Sequence, residues 1–510
     1  MSNAAQPVWA YAESDPERVA LRAAGEPWSY RALRDRARLI GGALLRAGVS
    51  AGDRVLFVAP SVPEFVAVYY GILATGAIAV TANTMSTAPE LEYIGADAGV
   101  KLVIAWTGVE GAPQAAATNL GLPFWQLRHG AAIGASIPLT EPHPAADDDT
   151  AAILYTSGTT GRPKGAELTH ANLVAGASIF VGVHGLTPDD RLGTALPLFH
   201  AYGQVCVMAT ALCAGSSLSL LAQFDAESMV AMLRRDELTF LAGVPTMWNG
   251  MLHASGDTKP SDFASLRIAA SGGAALPVEV SRAFEDRFGC RILEGYGLTE
   301  STAAALFHGP DRPRKAGSVG VALPRCEVQI RDEHGAELPA GEVGELYFRG
   351  PVVMKGYWKR PEATAEVLQD GWLLTGDLGL KDADGDVRIV GRKKDLVIRG
   401  GYNVYPLEVE EVLYQHPDIV EAAVIGIPDE HYGEEVAAVV VLRGGATPDT
   451  PALRDWAKQR LSAYKVPHLI VYVQALPKGA TGKVLKRAID RDSIRAAADP
   501  AVATAEGVGL

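Results

Sequence analysis

Thr156-Ser-Gly-Thr-Thr-Gly-Arg-Pro-Lys-Gly165 places four hydroxyl residues, three glycines and two cations between two apolar runs. Such a loop can approach a polyphosphate closely. Glycines remove side-chain bulk, while backbone N–H groups and the Ser157, Thr159 and Thr160 hydroxyls supply donors. Lys164 or Arg162 then neutralises phosphate charge. A Walker-type P-loop needs Gly-Lys-Ser/Thr opening a helix. Here Pro163 precedes Lys164, Gly165 follows it, and Ala166-Glu-Leu168 reads as extended. The stretch is therefore predicted to be strand, loop, strand.

Working outward, 510 residues suffice for two to four structural units. The balance of 46 Lys+Arg against 59 Asp+Glu gives −13, which argues against a nucleic-acid-binding surface but not against a local anion site. Cys206, Cys213, Cys290 and Cys326 form no CxxC pair and read as reduced, mostly core thiols of a cytoplasmic protein. No basic stretch followed by an apolar run opens the chain, so no signal peptide is expected. Two apolar segments, 65–82 and 205–222, approach membrane-span length, but Gly76 and Gly215 break them. Helix, tight turn and buried strand accounts for both, leaving at most peripheral membrane contact.

Along the first 82 residues strands and helices alternate: Val19-Ala-Leu-Arg, Trp28-Ser-Tyr, a helix from Tyr30 closed near Gly48, the strand Arg54-Val-Leu-Phe-Val58, a helix over 60–73, and a strand over 77–82. That alternation predicts an α/β fold with a parallel sheet. An internal echo follows, because 65–94 and 205–233 both read helix, Gly turn, strand, loop, helix. Two similar α/β halves would leave a ligand cleft between them; recurrence of a common unit explains the echo equally well. Short strands with Gly/Pro turns mark a small β subdomain over about 325–390, and a compact α+β module follows. The predicted division is 1–392 for the large domain, a hinge at 393–394, a mobile domain over 395–495 and a flexible tail over 496–510.

The 156–165 stretch resembles the phosphate loop of the adenylate-forming superfamily, which comprises acyl-CoA synthetases, luciferases and the adenylation domains of peptide synthetases. Further matching segments run in family order to Lys483, so the resemblance covers nearly the whole chain and is greatest to bacterial fatty acid–CoA ligases. It implies ATP, Mg²⁺ and coenzyme A. Thr156, Ser157, Gly158, Thr159, Thr160, Gly161 and Lys164 would bind phosphate. In Gly295-Tyr-Gly-Leu-Thr-Glu300 it implies that Tyr296 stacks on adenine beside Gly297, Thr299 contacts phosphate and Glu300 holds Mg²⁺. A hard cation shared between a carboxylate and substrate phosphates suits that glutamate. Gly273, Ala274 and Ala275 would lie along the other adenine face and the acyl pocket. Asp377 would accept from the ribose hydroxyls, with Arg392 also on the ribose.

The same resemblance makes Lys394 the pivot of the small domain and Gly400-Gly401 a lining of the pantetheine tunnel, although a hairpin turn would use those glycines too. Lys483, after Thr481-Gly482, would bridge the acyl carboxylate and the α-phosphate. His200 in Phe199-His-Ala-Tyr202 would gate the acyl tunnel, a packed histidine being the plainer alternative. No carboxylate stands in that segment to pair an amino-acid ammonium, which disfavours amino acids as substrates. No arginine follows Val244-Pro-Thr246 as in malonate-activating relatives. A medium to long fatty acid is the first expectation and an aryl acid the second. Coenzyme A is the default acceptor thiol, a carrier-protein phosphopantetheine the alternative. From other classes, a luciferase-like oxygenase and a non-catalytic acyl-nucleotide sensor remain; intact Glu300, Arg392 and Lys483 argue against the sensor.

Overall fold

In the computed structural model the described residues are 3–23, 27–130, 137–156, 162–315, 317–479 and 484–497. Both long apolar runs resolve into buried elements. In the first, helix Pro63–Ala74 is buried on every side, Gly76 turns the chain at φ +78°, and Ile78–Thr81 continues as a buried strand. A helix apolar all round belongs inside a large core. In the second, a π-helix Tyr202–Ala209 runs into helix Thr210–Cys213, Gly215 turns at φ +73°, and strand Ser217–Leu220 follows. Among the described residues no helix is long and apolar enough to cross a membrane.

The chain divides into two units. The first comprises Met1–Leu276, Val280–Val328 and Tyr347–Leu374; the second comprises Pro277–Glu279, Gln329–Leu346 and Thr375–Leu510. Two large sheets build the first unit. One orders its strands Gly356–Tyr357, Lys164–Thr169, Thr150–Thr156, Ile78–Thr81, Arg54–Val58, Val100–Trp106 and Phe124–Leu127. From Thr150–Thr156 onward these strands are parallel, and the first two pairings are antiparallel. The other sheet has nine strands, with a parallel centre that includes Arg191–Thr194, Phe240–Gly243, Ile268–Ser271 and Ile292–Tyr296. The internal echo is thus seen in the elements. Helix, glycine turn and strand recur, each delivering its strand to the parallel part of one sheet.

In the second unit strand Ile419–Asp429 pairs antiparallel with Gly433–Leu442, which pairs parallel with Leu469–Tyr472. Helices Pro406–Tyr414 and Thr450–Lys458 carry Val409, Leu413, Leu453 and Ala457 into the apolar core of this sheet. The second helix stops at Lys458. A separate 3₁₀ turn, Ala463–Lys465, follows, and Lys465 Nζ pairs with Glu408 Oε1 at 2.6 Å.

Candidate active site

Thr150–Thr156 and Lys164–Thr169 pair antiparallel up to Thr156 opposite Lys164, the predicted strand, loop, strand. Residues 157–161 lie outside the described residues, so Ser157, Gly158, Thr159, Thr160 and Gly161 cannot be placed. The base of the hairpin is clamped on both legs. Tyr93 donates its hydroxyl to the Pro163 carbonyl at 2.8 Å, and the Arg162 guanidinium lies 5.4 Å from the Tyr93 ring centre. Tyr155 donates to Asp97 at 2.7 Å, and Arg360 pairs with the same carboxylate. Gly356–Tyr357 adds an edge strand along Lys164–Thr169, and Trp358 N–H donates to the Gly165 carbonyl at 2.7 Å.

Glu300 reaches this hairpin from the other large sheet. Strand Ile292–Tyr296 ends, Gly297 follows, and a one-turn 3₁₀ helix Thr299–Ser301 begins, with Leu298 N–H donating to Ser301 Oγ at 2.9 Å. Thr302 and Ala303 then take left-handed φ of +54° and +59°. Gly297 is required here, since a Cβ on it would lie 2.4 Å from the Ala303 carbonyl. The turn is tied down by Thr302 Oγ donating to the Val352 carbonyl at 2.6 Å and by Met354 N–H donating to the Glu300 carbonyl at 2.8 Å.

The outcome is a convergence of oxygen donors and one cation. Glu300 Oε1 accepts from the Tyr357 hydroxyl at 2.8 Å, and Thr156 Oγ lies 3.5 Å from the same oxygen. Lys164 Nζ sits 5.1 Å from the Tyr357 ring centre. Burial, reinforced by the neighbouring Glu300 charge, pushes the Tyr357 phenol well above its ordinary range, so it stays a donor. Among the described residues no cation pairs with Glu300 and no cluster of His, Cys, Asp and Glu could hold a metal by itself. A half-buried carboxylate, two hydroxyls and a lysine beside a glycine-rich loop suit a magnesium–polyphosphate group, whose charge completes the set.

Strands Ile268–Ser271 and Ile292–Tyr296 are parallel neighbours, so Gly272–Ala275 and Tyr296 leave the sheet at the same carboxyl end. Gly273 has φ +81°, and Gly273, Ala274 and Ala275 are exposed. Below, Gly272 packs on Tyr202, whose ring would stand 3.3 Å from an added Cβ and whose hydroxyl donates to the Ala270 carbonyl at 2.9 Å. Carboxyl ends of parallel strands are where open α/β sheets bind ligands. His200 is exposed. Trp248 is fully buried, its ring 3.0 Å from where a Gly243 Cβ would stand.

The model of AMP-binding enzymes matches residues 8–358, and that of the AMP-binding enzyme C-terminal domain matches 408–483. The chain belongs to the AMP-binding enzyme family. Among relatives of this AMP-binding enzyme, a long-chain-fatty-acid–CoA ligase of Bacillus subtilis is 36% identical, over 92% of this chain and 91% of its own. A feruloyl-CoA synthase of Amycolatopsis is 37% identical, over 94% and 97%. The crystal structure of ATP-bound MatB from Rhodopseudomonas palustris superposes with a TM-score of 0.90 at 36% identity, covering 98% of this chain and 99% of that one. The AMP-binding enzyme is an AMP-forming acid–CoA ligase, with a small-molecule carboxylic acid, ATP and coenzyme A as substrates.

Its second unit holds the other predicted positions. Asp377 stands opposite Arg392 in the pairing of Trp372–Lys381 with Val387–Arg392, and Arg392 Nε lies 3.0 Å from Asp377 Oδ1. Asp377 is 3% exposed and its N–H donates to Thr375 Oγ at 3.1 Å. Lys394 lies just beyond, in a 3₁₀ turn Lys393–Asp395; burial, then the Arg392 charge, lowers its pKa. Gly400 and Gly401 have φ of +56° and +83° and form the turn between strands Val397–Arg399 and Tyr402–Val404. The hairpin use of these glycines is therefore real, whatever else they line. Lys483 lies outside the described residues.

Sequence reasoning missed Tyr357, Asp97 and Arg360. The run Gly356-Tyr-Trp-Lys-Arg360 has turn and aromatic character but no local signal tying it to a glutamate 57 positions away.

Proposed function

We propose that this enzyme activates a medium to long fatty acid through acyl-AMP and transfers it to coenzyme A. The observation that carries the reading is the approach of Thr156 and Tyr357 to Glu300, with Lys164 over the Tyr357 ring, at the base of the glycine-rich hairpin. In the first half-reaction the substrate carboxylate attacks the α-phosphorus of ATP and pyrophosphate leaves. In the second, the thiol attacks the acyl carbonyl and AMP leaves. Both anions must be brought together, so positioning and charge neutralisation do the work and no side-chain nucleophile is needed.

Tyr296 and the Gly273–Ala275 backbone sandwich adenine, Asp377 and Arg392 orient the ribose, and Thr156–Gly161 with Lys164 wrap the triphosphate. Thr299 contacts phosphate, and Glu300 holds Mg²⁺. Bound there, Mg²⁺ neutralises charge on the phosphate oxygens as it builds. Lys483 neutralises the carboxylate and α-phosphate during adenylation, then gives way to Gly400-Gly401 as the small domain, 395–495, turns about the hinge at 393–394. His200, exposed beside the π-helix, gates the acyl tunnel.

An aryl acid is the second reading, supported by the feruloyl-CoA synthase being as similar as the fatty acid–CoA ligase. Coenzyme A is preferred over a carrier protein on a specific ground. Of the cations that could greet an acidic carrier, Lys486 is engaged with Glu410 at 2.6 Å and Arg491 with the Gly426 carbonyl at 3.3 Å. The enzyme works in the cytoplasm.

ATP–pyrophosphate exchange across a panel of fatty and aryl acids, followed by release assays with coenzyme A and with a carrier protein, tests the whole reading. Exchange is expected with fatty acids and release with coenzyme A; exchange with none of the acids would overturn it. Lys483→Ala is expected to abolish adenylate formation yet spare thioester formation from supplied acyl-AMP. Equal loss of both halves would remove that role.

A further inference from the structure

We infer that Tyr357 is a positioning residue for the magnesium carboxylate, holding one oxygen of Glu300 so that the other is presented to the metal–triphosphate; this rests on the function proposed above. Glu300 Oε1 takes the Tyr357 hydroxyl at 2.8 Å, whereas among the described residues Oε2 has no hydrogen-bond partner. A carboxylate offers about four acceptor positions, so one engaged oxygen leaves a directed partner for a cation. A glutamate on a one-turn helix has three side-chain torsions to lose on metal binding. A donor that fixes it beforehand removes that loss, as second-shell donors do for metal ligands.

Tyr357 is itself held rigidly. Its backbone pairs with Ala166 on the edge of Lys164–Thr169, and its N–H donates to Thr364 Oγ at 2.8 Å. Trp358 bonds the Gly165 carbonyl, and Arg360 is locked to Asp97. The phenol thus moves with the hairpin leg that carries Lys164, whose ammonium lies over the same ring. One side chain couples the phosphate-facing lysine to the metal-facing carboxylate, so displacement of the hairpin displaces both.

Tyr357→Phe keeps the ring beneath Lys164 and deletes only the hydroxyl. Binding of α,β-methylene-ATP, measured by titration calorimetry with and without Mg²⁺, is the probe. Loss of one charge-assisted hydrogen bond should weaken magnesium-dependent binding roughly ten-fold. Binding in EDTA should stay within two-fold of wild type, and the effect should vanish in a Glu300→Gln background. Equal weakening with and without metal would mean that Tyr357 touches the nucleotide itself, and no weakening would mean that it does nothing to Glu300. Either overturns the inference alone, provided that wild type binds the analogue and catalyses exchange. Absence of both in wild type would instead sink the function. Should Tyr357→Phe fail to fold, a crystal structure of the wild-type chain with Mg²⁺ and the analogue decides. Oε1 on the phenol with Oε2 on the metal is expected, and a phenol detached from Glu300 overturns it.

Discussion

Glu300 and Asp377 are both carboxylates brought to a strand end or a strand pairing, but their partners differ in kind. Glu300 is approached by neutral hydroxyls, from Tyr357 and Thr156, and keeps its charge uncompensated by any described cation. Asp377 is nearly inaccessible and faces the Arg392 guanidinium across a strand pair. A carboxylate fixed by neutral donors is poised to receive a cation from outside. One paired with arginine is already neutralised. The two carboxylates therefore differ in the kind of group that holds each of them, neutral hydroxyls for Glu300 and a guanidinium for Asp377.

The largest test of this contrast is Glu300→Gln, which leaves shape intact and removes the charge. ATP–pyrophosphate exchange should fall by roughly 10²–10³, the scale on which one preorganised electrostatic partner acts. The apparent Mg²⁺ requirement should rise while discrimination between ATP and 2′-deoxy-ATP is kept. Asp377→Asn should do the converse, raising the KM for ATP roughly ten-fold and erasing ribose discrimination with the Mg²⁺ titration unchanged. If the two variants shift Mg²⁺ dependence alike, the contrast is broken. Because Asp377→Asn also strands Arg392, urea unfolding should show a loss of about 1–3 kcal/mol that Glu300→Gln does not share.

Smaller effects sharpen the picture of what holds Glu300. Gly297→Ala places a methyl 2.4 Å from the Ala303 carbonyl and should cost about 1–3 kcal/mol in urea unfolding, with exchange activity falling alongside. Asp97→Asn removes the ion pair to Arg360 while keeping an acceptor for Tyr155. It should cost only about 1 kcal/mol and raise the nucleotide Kd a few-fold, read by calorimetry.

Much of this was legible in the chain. Pro163 and Gly165 around Lys164 signalled a hairpin instead of a helix, and the Gly76 and Gly215 breaks turned membrane-length runs into helix, turn and strand. Those signals are local, because a proline or glycine constrains its own backbone wherever it stands. The π-helix over Tyr202–Ala209 was not legible. A π turn depends on competing carbonyl partners, here including Thr210 Oγ donating to the Val205 carbonyl at 3.0 Å, and not on any residue preference.

The order of motifs, the glycine-rich hairpin and the residue types for nucleotide chemistry were thus written in the linear chain, since each rests on neighbours a few positions apart. Which oxygen of Glu300 is held, and by whom, was settled only by folding. Tyr357, Asp97 and Arg360 acquire meaning by being carried to the hairpin along separate strands and helices. No short-range pattern encodes such a meeting, because its geometry is a property of packed sheets and not of sequence spacing.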